Sequence, residues 1–257
     1  MARGLHYNVK PPAGAVLDYS HPLTRDLVGC WAMNEGAGSC VNSANPHRSA
    51  AELEATGVSW RAGVSGGPVL NFTGGYLIEP AANEPLFDIT DYLTVAAVIN
   101  TTQTASYGVI VGKTDTTVAA GGFGLTVGTG TVNDGPAFFV YGGSGISIAK
   151  EATTFLDQWV HICGVFDKDL SGNARVAMYV DGVDQGAYTT AGAFTTILAN
   201  DLKLIIGIDD SNLFDYTGKI DHAMIWQRAL TEFEVRRLMA NPWQIFQRPT
   251  HTQVSVA

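Results

Sequence analysis

Four oxygen-bearing side chains, Asp209, Asp210, Asn212 and Asp215, fall in one short stretch, IDDSNLFDYTG. A hard cation such as Ca2+ takes roughly six to eight oxygen ligands, so this loop could bind one or could make polar contacts to a sugar. The same residue types also build Asx turns in a solvated acidic loop. Sugars present apolar C–H faces and hydroxyl edges. A sugar platform therefore needs aromatic rings beside amides and carboxylates, and Tyr107, Phe139, Tyr141, Tyr188, Phe214, Tyr216 and Trp60 are available. In PAFFVYG, strand alternation puts Phe139 and Tyr141 on one face and Phe138 and Val140 on the other. The Phe139 face is a platform if it is the concave one and core if it is not. Phe214 and Tyr216 belong to the acidic loop and are the better exposed candidates. His161, beside Trp159, has the chemistry of a general base.

Other chemistries lack their residues. The sequence has no Gly-x-Ser-x-Gly elbow, no P-loop and no zinc-spaced Cys/His set. The paired glycines at 66–67, 74–75, 121–122 and 142–143 read as turns. The formal net charge is −9, without a Lys/Arg cluster, which argues against nucleic acid as a partner. No run approaches the roughly 20 apolar residues of a membrane helix. The first residues, MARGLHYNVK, contain no apolar signal core, so the expectation is a chain made and folded in a cytoplasm. Cys30, Cys40 and Cys163 read as three reduced thiols, the last a small core residue.

The elements that would position these residues are mostly strands. Short apolar runs alternate with turn residues near 27–33, 68–78, 92–101, 107–113, 122–127, 136–141, 144–149, 158–167, 174–181, 183–189, 201–208 and 217–227. This is the pattern of a sandwich or jelly roll, and no internal repeat points to a propeller or solenoid. Asp181-Gly182 predicts a type I′ hairpin. Strands 92–101 and 158–167 are apolar on both faces, which predicts central positions, with one face covered and the other lining a concavity. Near the end, Thr231 and Glu234 form a capping-box pattern, Leu230 and Val235 a staple, and Asn241-Pro242 a stop. Residues 1–24 read as an extended arm, 25–241 as the body and 242–257 as a tail. Trp243, Ile245 and Phe246 make that tail apolar enough to pack on the body or on a partner.

Four segments, in order, carry a resemblance. They are LVGCWAMNEGAG from Leu27, QWVH with VFD from Gln158, MYVDGV from Met178, and GKID through RALT from Gly218. Together they resemble the laminin-G-like, concanavalin A-like lectin/glucanase jelly roll over about 27–240. The resemblance implies an all-β, two-sheet antiparallel jelly-roll sandwich with one short C-terminal helix. It implies core roles for Trp31, Trp159 and Trp226 and a structural His161. It also implies a Ca2+ site joining Asn34 or Glu35, near the opening strand, to Asp221 on the closing one. The carboxylate-pair strand of this fold's glycosidases is absent, as are its lyase motifs. The flanks, RGL…NVKPP…HPL and NPWQIF, resemble small laminin-G-like proteins of tailed phages and prophages. The expectation is a non-catalytic virion decoration or appendage protein with a glycan-binding surface, its arm anchoring it to other virion proteins or building a homo-oligomer. The alternative is a polysaccharide-degrading glycosidase or lyase of the same fold.

Overall fold

The computed structural model describes residues 9–44, 52–53, 57–63, 66–103, 107–115, 121–128, 135–143, 145–186, 188–190 and 194–247. Its strands are β1 (Leu27–Trp31), β2 (Glu52–Leu53), β3 (Val58–Ala62), β4 (Pro68–Thr73), β5 (Leu77–Ile78), β6 (Tyr92–Thr101), β7 (Gly108–Lys113) and β8 (Gly122–Val127). They continue with β9 (Pro136–Gly142), β10 (Gly145–Lys150), β11 (Trp159–Asp167), β12 (Val176–Val180), β13 (Val183–Asp184), β14 (Tyr188–Thr190), β15 (Ile205–Ile206) and β16 (Thr217–Trp226). One α-helix, α1 (Glu232–Ala240), follows among the described residues. The first sheet has the order β13-β12-β11-β6-β16-β4-β3, with β1 also paired to β16. The second has the order β14-β10-β9-β8-β7-β15-β5-β2. The expected two-sheet antiparallel sandwich with a C-terminal helix is what forms.

Strand β6 lies between β11 and β16, with Trp159 opposite Asn100 and Ala223 opposite Ala97. Its Leu93, Val95, Ala97 and Ile99 face the second sheet and pack in one core with Phe123, Leu125, Phe138 and Val140. The other face of the first sheet presents Ala96, Cys163, Val165, Met224 and Trp226 to a second core. The partners there come from both chain ends: Leu17, Leu23, Val235, Leu238, Trp243, Ile245 and Phe246. This face therefore lines no concavity, contrary to expectation. The residues read as arm and tail are apolar enough to form a third layer over it.

The arm belongs to the body from residue 9 onward. Leu17 bridges Phe246, Asp18 N–H donates to Ile245 O at 2.8 Å, and Gln247 N–H donates to Val16 O at 2.8 Å. Leu17 and Leu23 are each 1% exposed. Trp226 Nε1 donates to Leu23 O at 2.6 Å. Arg228 donates to Arg25 O and Pro22 O and pairs with Glu234, which joins the end of the arm to the start of α1. There the capping box is present, with Glu234 N–H donating to Thr231 Oγ1 and Thr231 N–H to Glu234 Oε2. Leu230 and Val235 are both buried, as the staple requires. At the hairpin, Asp181 and Gly182 take φ 50° and 73°, as type I′ demands. The three cysteines are free and buried.

The differences from expectation lie at edges. Strand β3, VSWRA, escaped notice because an edge strand with only intermediate and exposed positions has no apolar alternation. The run 68–78 splits into β4 and β5 at Gly74, and 201–208 shrinks to β15. Trp159, expected in the core, opens β11 and is only half-buried. Leu23→Ala is expected to cost about 2–5 kcal/mol, measured by urea denaturation. A loss below about 1 kcal/mol would mean that the arm merely rests on the surface. Thr231→Ala should cost about 1 kcal/mol in the same assay through the lost cap.

Candidate functional site

Alternation in β9 turns Phe138 and Val140 into the core and leaves Phe139 and Tyr141 on the outer face of the second sheet. Gly124 of β8 lies opposite Phe139. A Cβ at Gly124 would come within 2.4 Å of the Phe139 ring, so glycine lets that ring lie flat on the sheet. Phe139 heads a continuous set of ring contacts. Tyr141 packs edge-on at 5.4 Å between centroids, Tyr107 lies at 6.2 Å, and Phe214 meets Tyr107 edge-on at 5.1 Å. Phe139 is 2% exposed and serves as the base. Tyr107, Tyr141 and Phe214 keep part of their surface open. Burial raises the phenol pKa of Tyr141, aided by the negative charge of Asp115. Burial does the same to Tyr107, with Tyr141 and Asp209 adding to it. Both hydroxyls are thus neutral hydrogen-bonding groups at ordinary pH. Tyr216, expected beside Phe214, is instead 0% exposed. Its ring packs edge-on against Phe72 and its hydroxyl donates to Lys219 O, so it is core.

The acidic loop divides in the same way. Asp209 is 1% exposed. It accepts from Leu213 N–H at 3.0 Å, Phe214 N–H at 3.2 Å and the Ser211 hydroxyl. It is the staple of an Asx-type loop, and that staple holds Phe214 against Tyr107. Asn212 sits exposed at φ 57° and Asp215 is exposed. Asp210 is half-buried, and burial raises its carboxyl pKa. Lys203 opposes the shift, while Asp115 and Asp209 reinforce it. Among the described residues no three His, Cys, Asp or Glu side chains are grouped to hold a metal. Clefts of about 420 and 860 Å3 lie elsewhere, beside the start of α1 and between arm and tail.

The family model described as the concanavalin A-like lectin/glucanases superfamily matches residues 73–236. The chain belongs to that superfamily. A search of curated protein sequences finds no match. Among solved structures, domain 4 of AbnA, a GH43 extracellular arabinanase from Geobacillus stearothermophilus in complex with arabinotriose, aligns with TM-score 0.60 at 13% identity. That alignment covers 83% of this chain and 98% of the domain. The binding domain of Paraclostridial Mosquitocidal Protein 1 aligns with TM-score 0.63 at 14% identity, over 86% of this chain and 53% of that one. Trypanosoma rangeli sialidase in complex with the inhibitor DANA aligns with TM-score 0.58 at 16% identity, over 93% of this chain and 34% of the sialidase. At these identities the likeness is one of fold.

Each metal donor implied by the superfamily resemblance already has a partner within the chain. The Asn34 amide donates to Pro11 O at 3.0 Å and Pro12 O at 3.1 Å. Glu35 Oε1 accepts from Val41 N–H at 2.8 Å. Asp221 is 3% exposed and already holds a cation, with Lys10 Nζ 3.3 Å from Oδ1 and His222 Nδ1 2.9 Å from Oδ2. Lys10 was invisible as a site residue because a lone lysine between Val9 and Pro11 has no spacing to mark it. His161 lies under the same third layer, 1% exposed, with neither ring nitrogen hydrogen-bonded. It is a buried structural side chain, out of reach of a substrate. Burial, with His222 adding to it, pushes its pKa down to about 3. The folded pKa lies below the unfolded one, so the unfolded chain takes up the proton first. Stability therefore falls as pH drops below about 6.5 and keeps falling to about 3. His161→Leu should recover about 2 kcal/mol of the loss between pH 7 and pH 5, read by urea denaturation. Parallel pH profiles for the two proteins would refute this.

Proposed function

We propose that the chain is a non-catalytic glycan-binding protein whose ligand lies on the outer face of the second sheet, across Tyr141, Tyr107 and Phe214. The observation that carries this reading is the ring set itself. It is based on Phe139, for which Gly124 leaves room, and the charge of Asp115 is felt at Tyr141. Stacking on sugar C–H faces needs such rings, and orienting hydroxyls needs such oxygens. Tyr107, Tyr141 and Phe214 keep part of their surface open to a ligand. The first sheet offers no equivalent surface, because the chain ends cover its outer face. A structural relative in complex with arabinotriose supports the same ligand class. The virion decoration or appendage role rests on the flank resemblance. Attachment to a neighbour or to a second copy would use the outer side of the arm, where Val9, Val16 and Tyr19 are exposed.

One observation favours a second reading, polysaccharide cleavage. Burial raises the carboxyl pKa of Asp210, which is what a general acid needs. The two readings part in one experiment. The purified chain is screened on immobilised polysaccharides for retention and for release of reducing ends. Retention without cleavage is expected. Tyr141→Ala should weaken it roughly tenfold, about 1.4 kcal/mol, with Tyr141→Phe close to wild type. Cleavage abolished by Asp210→Asn would establish the second reading instead. Retention indifferent to both Tyr141→Ala and Phe214→Ala would move the ligand off this face.

A further inference from the structure

At Asp221, where the superfamily resemblance implies a metal, the side chain of Lys10 lies against the carboxylate. We propose that Lys10 is a tethered cation: its ammonium fills an oxygen cage built for a positive ion and makes the fold independent of a bound metal. Lys10 Nζ lies 3.1 Å from Met33 O, 2.7 Å from Pro68 O, 2.6 Å from Asp221 O and 3.3 Å from Asp221 Oδ1. These four oxygens come from three segments: just after β1, the first residue of β4, and the middle of β16. Three of the four are main-chain carbonyls. An ammonium has three N–H donors, so the cage offers more acceptors than there are protons. It surrounds a charge rather than matching a hydrogen-bond geometry.

The backbone is shaped around that charge at several independent places. Met33 takes φ 50°, a left-handed conformation uncommon for a residue with a side chain. The pairing of β16 with β6 shifts register between Ile220 and His222, so Asp221 is a bulge residue. A bulge releases a residue from the ladder, and here both the carbonyl and the carboxylate of Asp221 meet Lys10. Gly67 makes room for the stem, because a Cβ there would come within 2.7 Å of Lys10 Cδ. The Trp243 ring lies 5.5 Å from Nζ, and His222 Nδ1 lies on the other oxygen of Asp221. Lys10 is 5% exposed, so its single positive charge balances Asp221 inside the protein. Carbonyl and carboxylate oxygens converging from separate strands are the ligand set of a hard cation such as Ca2+. The lysine supplies the charge and at the same time pins residues 10–12 to the body.

The test uses the full chain and CaCl2 itself. Wild type, Lys10→Ala and Lys10→Ala/Asp221→Asn are melted in EDTA and in excess CaCl2. Wild type should show one Tm in both. Lys10→Ala should melt lower than wild type in EDTA and rise by about 3 °C or more in CaCl2, because a ligand that binds only the folded state stabilises it. The double variant, which has lost the carboxylate, should not respond. A wild-type Tm that moves with EDTA or CaCl2 overturns the proposal, as does a folded Lys10→Ala protein indifferent to CaCl2. If Lys10→Ala is isolated unfolded, refolding in CaCl2 against EDTA decides. Recovery in CaCl2 alone supports the cage, and failure in both refutes it.

Discussion

The structure depends on one constraint: the middle of the first sheet is apolar on both faces and must be covered twice. Strands β6, β11 and β16 place Leu93, Ile162 and Ile225 on one side and Ala96, Cys163 and Trp226 on the other. The second sheet covers the inner side. Nothing in the sandwich itself can cover the outer one, so the chain ends do it, with Leu17, Leu23, α1 and Trp243. Burying large apolar side chains on both faces is worth a few kcal/mol for each residue. The arrangement also brings buried polar groups with it. His161, His222, Asp221 and Lys10 all lie in or beside this layer. The polar groups are tolerable where they pair, as Lys10 and Asp221 do, and costly where they do not, as at His161.

The same constraint orients the molecule. The termini close the outer face of the first sheet, and the ring set of Phe139, Tyr141, Tyr107 and Phe214 lies on the outer face of the second. Val9 and Gln247 both line the cleft between arm and tail, so the two ends of the described chain lie together. That cleft lies on the first sheet's side of the sandwich, and Tyr141 and Phe214 lie on the other.

Much of this was legible in the residues. Short apolar runs bounded by turn residues found β6, β8 and β9 to within a residue, and the Thr231–Glu234 box marked the helix start because its chemistry is local. Alternation within β9 also put Phe139 and Tyr141 on one face and Phe138 and Val140 on the other, without telling which of the two is core. Legibility failed where a residue's role depends on a distant partner. Tyr216 sits one residue beyond the acidic loop's last carboxylate, and only the packing of Phe72 shows that it is core. Asp209 reads like its neighbour Asp210, yet it is folded inward as the loop's staple. Lys10 gives no signal at all, since its partner is 211 residues away.

That separation has a consequence for how the chain reaches its native state. The Lys10–Asp221 contact, the Leu17–Phe246 bridge and the bond from Trp226 to Leu23 all join residues that lie far apart along the chain, 211 positions in the first case and 203 in the last. Pairings of such high sequence separation form slowly, since a long loop must close before they yield any stabilisation. The central strand β16 and the cover of its outer face, α1 and the apolar tail, follow one another closely in the chain, so the first sheet is completed and covered almost together. Until they are made, the apolar strands that precede them are exposed to aggregation.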